Sequence, residues 1–211
     1  MTVLRPSRLL EAVKSEIDEF MLLDIGASGG IDPMWRQWEP KLSALCFDPL
    51  LAETDRLSAA EANPKIKYFS AWASCPNFDA ITQDHRGKPS NASFELTSCI
   101  RAQNAMQTDY QREAYNRGQE LKYSDRSTSV DAECRDAGLA SVDFLKIDTD
   151  GHDYFVLQGA KETLAMRGVL GVLVECPFHG TVARDANIFA NIDTFLRESG
   201  FTLFDLAPWR Y

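Results

Sequence analysis

Met21-Leu22-Leu23-Asp24-Ile25-Gly26-Ala27-Ser28-Gly29-Gly30 is an apolar run that ends in an acid and breaks into a turn of small residues. Continuous apolar character without polar alternation reads as a strand buried on both faces, as in parallel sheets. Four similar runs lie downstream: Ser43 to Phe47, Ile66 to Phe69, Val142 to Ile147 and Val169 to Val174. Helices are expected around Leu51 to Ala62, Tyr154 to Met166 and Ile188 to Ser199, each between two runs or before a last strand, Thr202 to Leu206. That alternation predicts a doubly wound α/β fold, with a mostly parallel central sheet flanked by helices. Upstream, Leu9, Leu10, Val13, Ile17 and Phe20 recur at helical spacing behind Ser7 as N-cap. Residues 1–19 are therefore expected to form a helix packed on one domain spanning 20–211.

The chain has 211 residues, 45% of them hydrophobic, enough for one sizeable core. A net charge of −9 opposes nucleic acid and anionic membranes as partners. Cys46, Cys75, Cys99, Cys134 and Cys176 are odd in number, spread out and free of CxxC pairs, which favours a reducing, cytoplasmic setting. No apolar run reaches the length of about 20 residues needed for a bilayer span. The segments Cys75 to Ser98 and Gln103 to Arg126 are polar and irregular, the second interleaving Tyr110, Tyr115 and Tyr123; solvated surface is the plain reading. Trp209 and Tyr211 place large aromatics at an end that is usually frayed and polar, so a truncation point is expected there.

In a doubly wound sheet, ligands bind beyond the carboxyl ends of the strands. Gly26, Ala27, Ser28 and Gly30 would let a cofactor approach the backbone there, and Asp48-Pro49 ends the next strand 22 positions after Gly26. An acid at that offset accepts hydrogen bonds from a ribose diol. Each signal alone is weak, since a strand-terminal Asp is often a helix cap; together they favour a nucleoside cofactor. The loop lacks the GxG opening of dinucleotide sites, and no GxxxxGK[ST] occurs. Asp24 before the glycines would repel a pyrophosphate and suits a cation, a requirement that S-adenosylmethionine satisfies.

The third signal is Val142-Asp143-Phe144-Leu145-Lys146-Ile147-Asp148-Thr149-Asp150-Gly151-His152-Asp153-Tyr154, a strand ending in three carboxylates and an imidazole. With Asp24 to Gly30, Phe47-Asp48-Pro49, Ser127 to Asp131, Gln158-Gly159-Ala160 and Val172 to Glu175, this block resembles the FkbM family of S-adenosylmethionine-dependent methyltransferases over roughly Met21 to Leu206. The family pattern resembles Lys-Ile-Asp-x-Glu-Gly-x-Glu, and here Asp150 and Asp153 occupy the two Glu positions. The resemblance implies a Rossmann-like class I methyltransferase fold, with 20–211 as the methyltransferase domain. It implies that Asp24, Gly26, Ala27, Ser28 and Gly30 surround the methionine portion, that Asp48, followed by Pro49, holds the ribose, that Ala71 and Trp72 lie near the adenine, and that Asp148 faces the sulfonium. S-adenosylhomocysteine would be the product.

Methyl transfer to a hydroxyl requires positioning the acceptor and removing its proton, for which Asp150, His152 and Asp153 are the candidates. Base catalysis ranks above a divalent cation held by the carboxylates, and no metal ligand set is assigned. The bland alternative makes Asp150 or Asp153 a helix cap and leaves His152 exposed. Glu175 and His179 lie on the same rim as weaker candidates, and Trp35 and Trp38 read as packing. The acceptor expected from the resemblance is a hydroxyl of a small molecule, sugar or glycan, while oligomeric state is not legible. Alternatives are a binding module without turnover, a dinucleotide oxidoreductase, and a phosphatase reading Asp148-Thr149-Asp150-Gly151 as DxDG. The last lacks a downstream acidic pair, and Gly151 is misplaced for a calcium loop.

Overall fold

A computed structural model describes residues 8–76, 122–149, 151–178, 180, 183–184 and 186–207. In chain order, helix α1 is Arg8–Glu16, β1 Phe20–Ile25, α2 Pro33–Arg36, β2 Leu42–Asp48, α3 Leu51–Ala60, β3 Ile66–Ser70 and β4 Trp72–Ala73. Then come β5 Ser127–Thr128, α4 Val130–Asp136, β6 Phe144–Ile147, α5 Asp153–Gln158, α6 Lys161–Met166, β7 Gly171–Val174 and α7 Phe189–Glu198. Five strands form one parallel sheet in the order β3-β2-β1-β6-β7, and β4 pairs with β5 in a separate parallel ribbon. The fold is thus the Rossmann-like α/β architecture expected. Strand order reverses at β1, whose neighbours are β2 and β6, so the crevice for a ligand opens at the carboxyl ends of β1 and β6.

Period-two side-chain alternation divides the apolar runs between two cores. Leu23, Ile25, Leu45, Phe47, Leu145 and Ile147 face one cluster. Phe20, Leu22, Leu42, Ala44 and Cys46 face the other, which Trp35, Trp38 and Ile17 help to cover. All seven residues of β2 are buried, which is why its sequence shows no polar alternation. Trp38 stacks on Phe20 at 4.1 Å and Trp35 meets Phe144 at 4.6 Å, so both tryptophans pack. Helix α1 is tied down where Lys41 Nζ donates to the carbonyls of Lys14 and Ile17 at the helix end.

Two expectations need correction. Thr202 to Leu206 forms no strand: no described strand pairs with it, and Leu203, Phe204 and Leu206 are exposed. The single helix expected over Tyr154 to Met166 is two helices broken at Gly159-Ala160. A Cβ on Gly159 would lie 2.0 Å from the Ser74 carbonyl oxygen, and Asp131 restarts the helix by accepting from the backbone N–H groups of Glu162 and Thr163 at 3.0 and 2.7 Å. No described helix is long and apolar enough to cross a membrane. Cys46, Cys75, Cys134 and Cys176 are unpaired thiols, whereas Ser7, Cys99 and the tail 208–211 lie outside the described residues.

Candidate active site

The turn after β1 is held by its own neighbours. Gly26 has φ +82, and a Cβ there would lie 1.7 Å from the Asp148 carbonyl oxygen, so this glycine lets the ends of β1 and β6 meet. That contact by itself requires glycine at 26. The N–H groups of Gly26 and Ala27 both donate to the Phe47 carbonyl at 2.8 and 3.0 Å, and Gly30 donates to the Ala27 carbonyl at 2.9 Å. Gly29 N–H donates to Glu53 Oε1 at 2.9 Å, and Ile31 N–H reaches the Tyr68 hydroxyl at 3.4 Å. With those donors committed, the turn has no row of free amides to cradle phosphates. Ser28 differs: its buried Oγ has no hydrogen-bond partner among the described residues. Ala27 is buried, and its methyl belongs to the core under the turn.

Beside this turn three charges share one sheet face. Asp24 and Lys146 are register partners on β1 and β6, and Lys146 Nζ lies 3.0 Å from Asp24 Oδ1. The same ammonium donates to the Gly26 carbonyl at 2.7 Å and sits 3.6 Å from Asp148 Oδ2. Burial pushes the Asp24 carboxyl above its usual range, against the pull of Lys146. Burial also works against the Lys146 ammonium, but Asp24 and Asp148 outweigh it and hold its pKa up. Asp24 is 2% exposed, whereas the Asp148 side chain is 49% exposed. Two carboxylates to one ammonium leave a surplus negative charge, and the accessible member is Asp148.

Asp48, at the end of β2, accepts from the Leu50 N–H at 2.8 Å where α3 begins. The Asp48 carbonyl accepts from Ala71 N–H, and the Pro49 carbonyl from Ser124 N–H. Trp72 Nε1 donates to the Ser124 carbonyl at 2.8 Å, and its ring tilts against Tyr123 at 5.5 Å. Asp48, Pro49, Ala71 and Trp72 are thus brought together around residues 122–124. Ala71 is sunk in the core, and Trp72 is the half-buried member of that pair.

The turn after β6 separates residues that the sequence set side by side. Asp153 is 1% exposed and accepts from Thr149 N–H at 2.8 Å, Thr149 Oγ1 at 2.9 Å, Gly151 N–H at 3.2 Å and Asn187 Nδ2 at 3.0 Å. Burial pushes its carboxyl up, and those donors pull back. Asp153 therefore knits the turn, and its oxygens are not presented to an acceptor. His152 precedes α5, and its Nε2 is 2.7 Å from the Oγ of buried Ser74. Its ring stacks on Phe155 at 5.0 Å, so the imidazole is held and not left loose at the surface. Glu175 is half-buried after β7, its N–H on the Ile147 carbonyl. Asp150 and His179 lie outside the described residues, among which no group of three or more His, Cys, Asp or Glu is placed to hold a metal.

Sequence reasoning missed Lys146, Ser74, Asn187 and Glu53. Lys146 carried a signal, being the one charge inside an otherwise apolar strand. The others act through contacts between distant segments, which local spacing does not encode.

A curated relative, the "2-O-methyltransferase NoeI" of Sinorhizobium fredii (strain NBRC 101917 / NGR234), is 27% identical over 154 residues, covering 68% of this chain and 58% of that protein. The chain thus spans less than two thirds of that relative's length. No solved structure matches the chain. Residues 37–203 match the family described as the methyltransferase FkbM domain. That match takes in β2 to α7 and leaves β1 and the glycine turn outside, whereas the resemblance read from the sequence starts at Met21. With most of its length inside the match and the expected sheet order around it, the chain belongs to the FkbM methyltransferase family.

Proposed function

We propose that the chain is an S-adenosylmethionine-dependent O-methyltransferase acting on a hydroxyl of a small molecule, sugar or glycan. The observation that carries the donor assignment is the charge balance at the strand ends. Asp24 and Asp148 face one ammonium, Lys146, and the surplus sits at the accessible Asp148. A cationic ligand is favoured there and a pyrophosphate is not. Ser28 Oγ, buried and without a partner among the described residues, suits a polar group of the ligand's amino-acid end, and Asp48 suits a ribose diol. The oxygen acceptor is supported by the printed name of the relative and by the fixed imidazole of His152.

Bound there, S-adenosylmethionine would supply an electrophilic methyl carbon on a positively charged sulfur that leaves as the neutral thioether of S-adenosylhomocysteine. The chain's own residues would hold an acceptor hydroxyl in line with that carbon. The acceptor proton goes to a base, the role we assign to His152, with its ring oriented by Ser74 and Phe155. Asp153 acts through the turn that carries His152, and Asp150 stays in the cluster on sequence grounds. Residues 20 onward form the catalytic domain, with α1 packed on it. The free cysteines suit a cytoplasmic setting, and the net charge of −9 opposes nucleic acid as a partner.

Melting temperature tests the donor. S-adenosylmethionine and S-adenosylhomocysteine at 100 times their Kd should each stabilise the protein by about 2.7 kcal/mol, while NADH and ATP should leave it unmoved. Stabilisation by NADH alone would reverse the assignment.

A further inference from the structure

Glu53 is a fully buried acid that the chemistry above does not use. It lies in the first turn of α3, and Arg56 Nε and Nη2 hold its two oxygens at 2.9 and 2.7 Å. A pair three residues apart on one helix is ordinarily a surface device. Here the carboxylate is turned inward, and its Oε1 also takes the N–H of Gly29 at 2.9 Å, across to the turn after β1. Gly29 and Gly30 sit at φ +85 and +87. The residue immediately before them is Ser28, whose buried hydroxyl has no hydrogen-bond partner among the described residues. The same helix begins on the Asp48 side chain, through Leu50 N–H. The first turn of α3 therefore links the two segments assigned to the donor, one through Asp48 and the other through Glu53.

We propose that Glu53 is a positioning residue for the donor site: by holding Gly29 it fixes the turn so that Ser28 Oγ is presented to the amino-acid end of the ligand. This inference rests on the S-adenosylmethionine reading above. A hydroxyl held in place before binding contributes more affinity than one that must be ordered on binding. Loss of Glu53 should therefore be felt at one end of the ligand and not at the other. A purely structural salt bridge in α3 would weaken both ends alike or neither.

Calorimetry with two ligands separates these cases. S-adenosylhomocysteine carries the amino-acid end, and 5′-methylthioadenosine has the adenosine and sulfur without it. Glu53→Ala should raise Kd for S-adenosylhomocysteine about 10-fold while changing Kd for methylthioadenosine less than about 2-fold. Glu53→Gln, which can still accept from Gly29 N–H, should restore most of the difference. Equal loss for both ligands, or no change for either, in a folded Glu53→Ala protein overturns the proposal. If that variant does not fold, Glu53→Asp keeps a charge opposite Arg56 but withdraws the oxygen from Gly29. It must show the same split, and its failure to do so overturns the proposal equally. A wild-type protein that binds neither ligand contradicts the donor reading itself, and the role of Glu53 falls with it.

Discussion

The turns that follow β1 and β6 both end buried parallel strands and both carry residue types associated with ligand chemistry, yet they divide their labour differently. After β1, glycine at 26 answers to the Asp148 carbonyl, and the amides are spent on Phe47, Glu53, Ala27 and Tyr68. After β6, Asp153 is spent on its own turn and on Asn187, while Asp148 at the start of that turn keeps half of its side chain in solvent. Burial therefore separates residues that hold a turn together from residues that reach solvent, within stretches of five or six positions. A small or acidic residue at a strand end identifies the site's location before it identifies the residue's task.

The two turns depend on each other most at Gly26. Gly26→Val should destabilise the ligand-free protein by about 4 kcal/mol or more, because a Cβ 1.7 Å from a backbone oxygen must displace one of two central strands. Urea denaturation without ligand measures this, and a variant as stable as wild type would return Gly26 to a ligand-facing role. Asp153→Asn comes next, at about 2–4 kcal/mol. Its amide nitrogen would face Thr149, Gly151 or Asn187 groups that are all donating. Loss of turnover at undiminished stability would instead make Asp153 a participant in proton transfer.

The acids in the two regions also move in opposite directions with pH. Burial would raise Glu53, but the bonds from Arg56 and Gly29 win and hold it below 4.5. Its contribution to stability is present above the unfolded value and is lost as pH falls through the lower native one. Asp153 is raised above 3.8, so the native state favours its protonated form and stability is lost as pH rises from there through the native value. Over the acid range, the stability of Glu53→Gln relative to wild type should therefore improve as pH falls, and that of Asp153→Asn should improve as pH rises. Chemical denaturation at stepped pH reads both signs, and parallel trends would contradict the assignment.

Much of the scaffold was legible because a strand buried on both faces is written as a continuous apolar run. Phe20 to Ile25 and Leu42 to Asp48 are the clearest cases. Thr202 to Leu206 carries the same residue types and fails, since a strand also needs a neighbour to pair with, and composition does not supply one. At the candidate site, the position of Asp148 could be read from its strand end, and so could that of Asp48. The tasks of Gly26, Asp153 and Glu53 could not, because each depends on a partner from another segment: the Asp148 carbonyl, Asn187 and Gly29. Ser74 is the same case for His152, 78 positions away along the chain.

In the function proposed above, the surplus negative charge at Asp148 selects a cationic methyl donor. Titration calorimetry of wild type and Asp148→Asn with S-adenosylmethionine and S-adenosylhomocysteine probes this selection, because the two ligands differ only by the methyl group and the positive charge it places on sulfur. Asp148→Asn should weaken S-adenosylmethionine about 10-fold and S-adenosylhomocysteine about 3-fold or less, with unfolding stability within about 0.5 kcal/mol of wild type. Equal weakening of both ligands, or tight binding of neither by the folded wild-type chain, would contradict it.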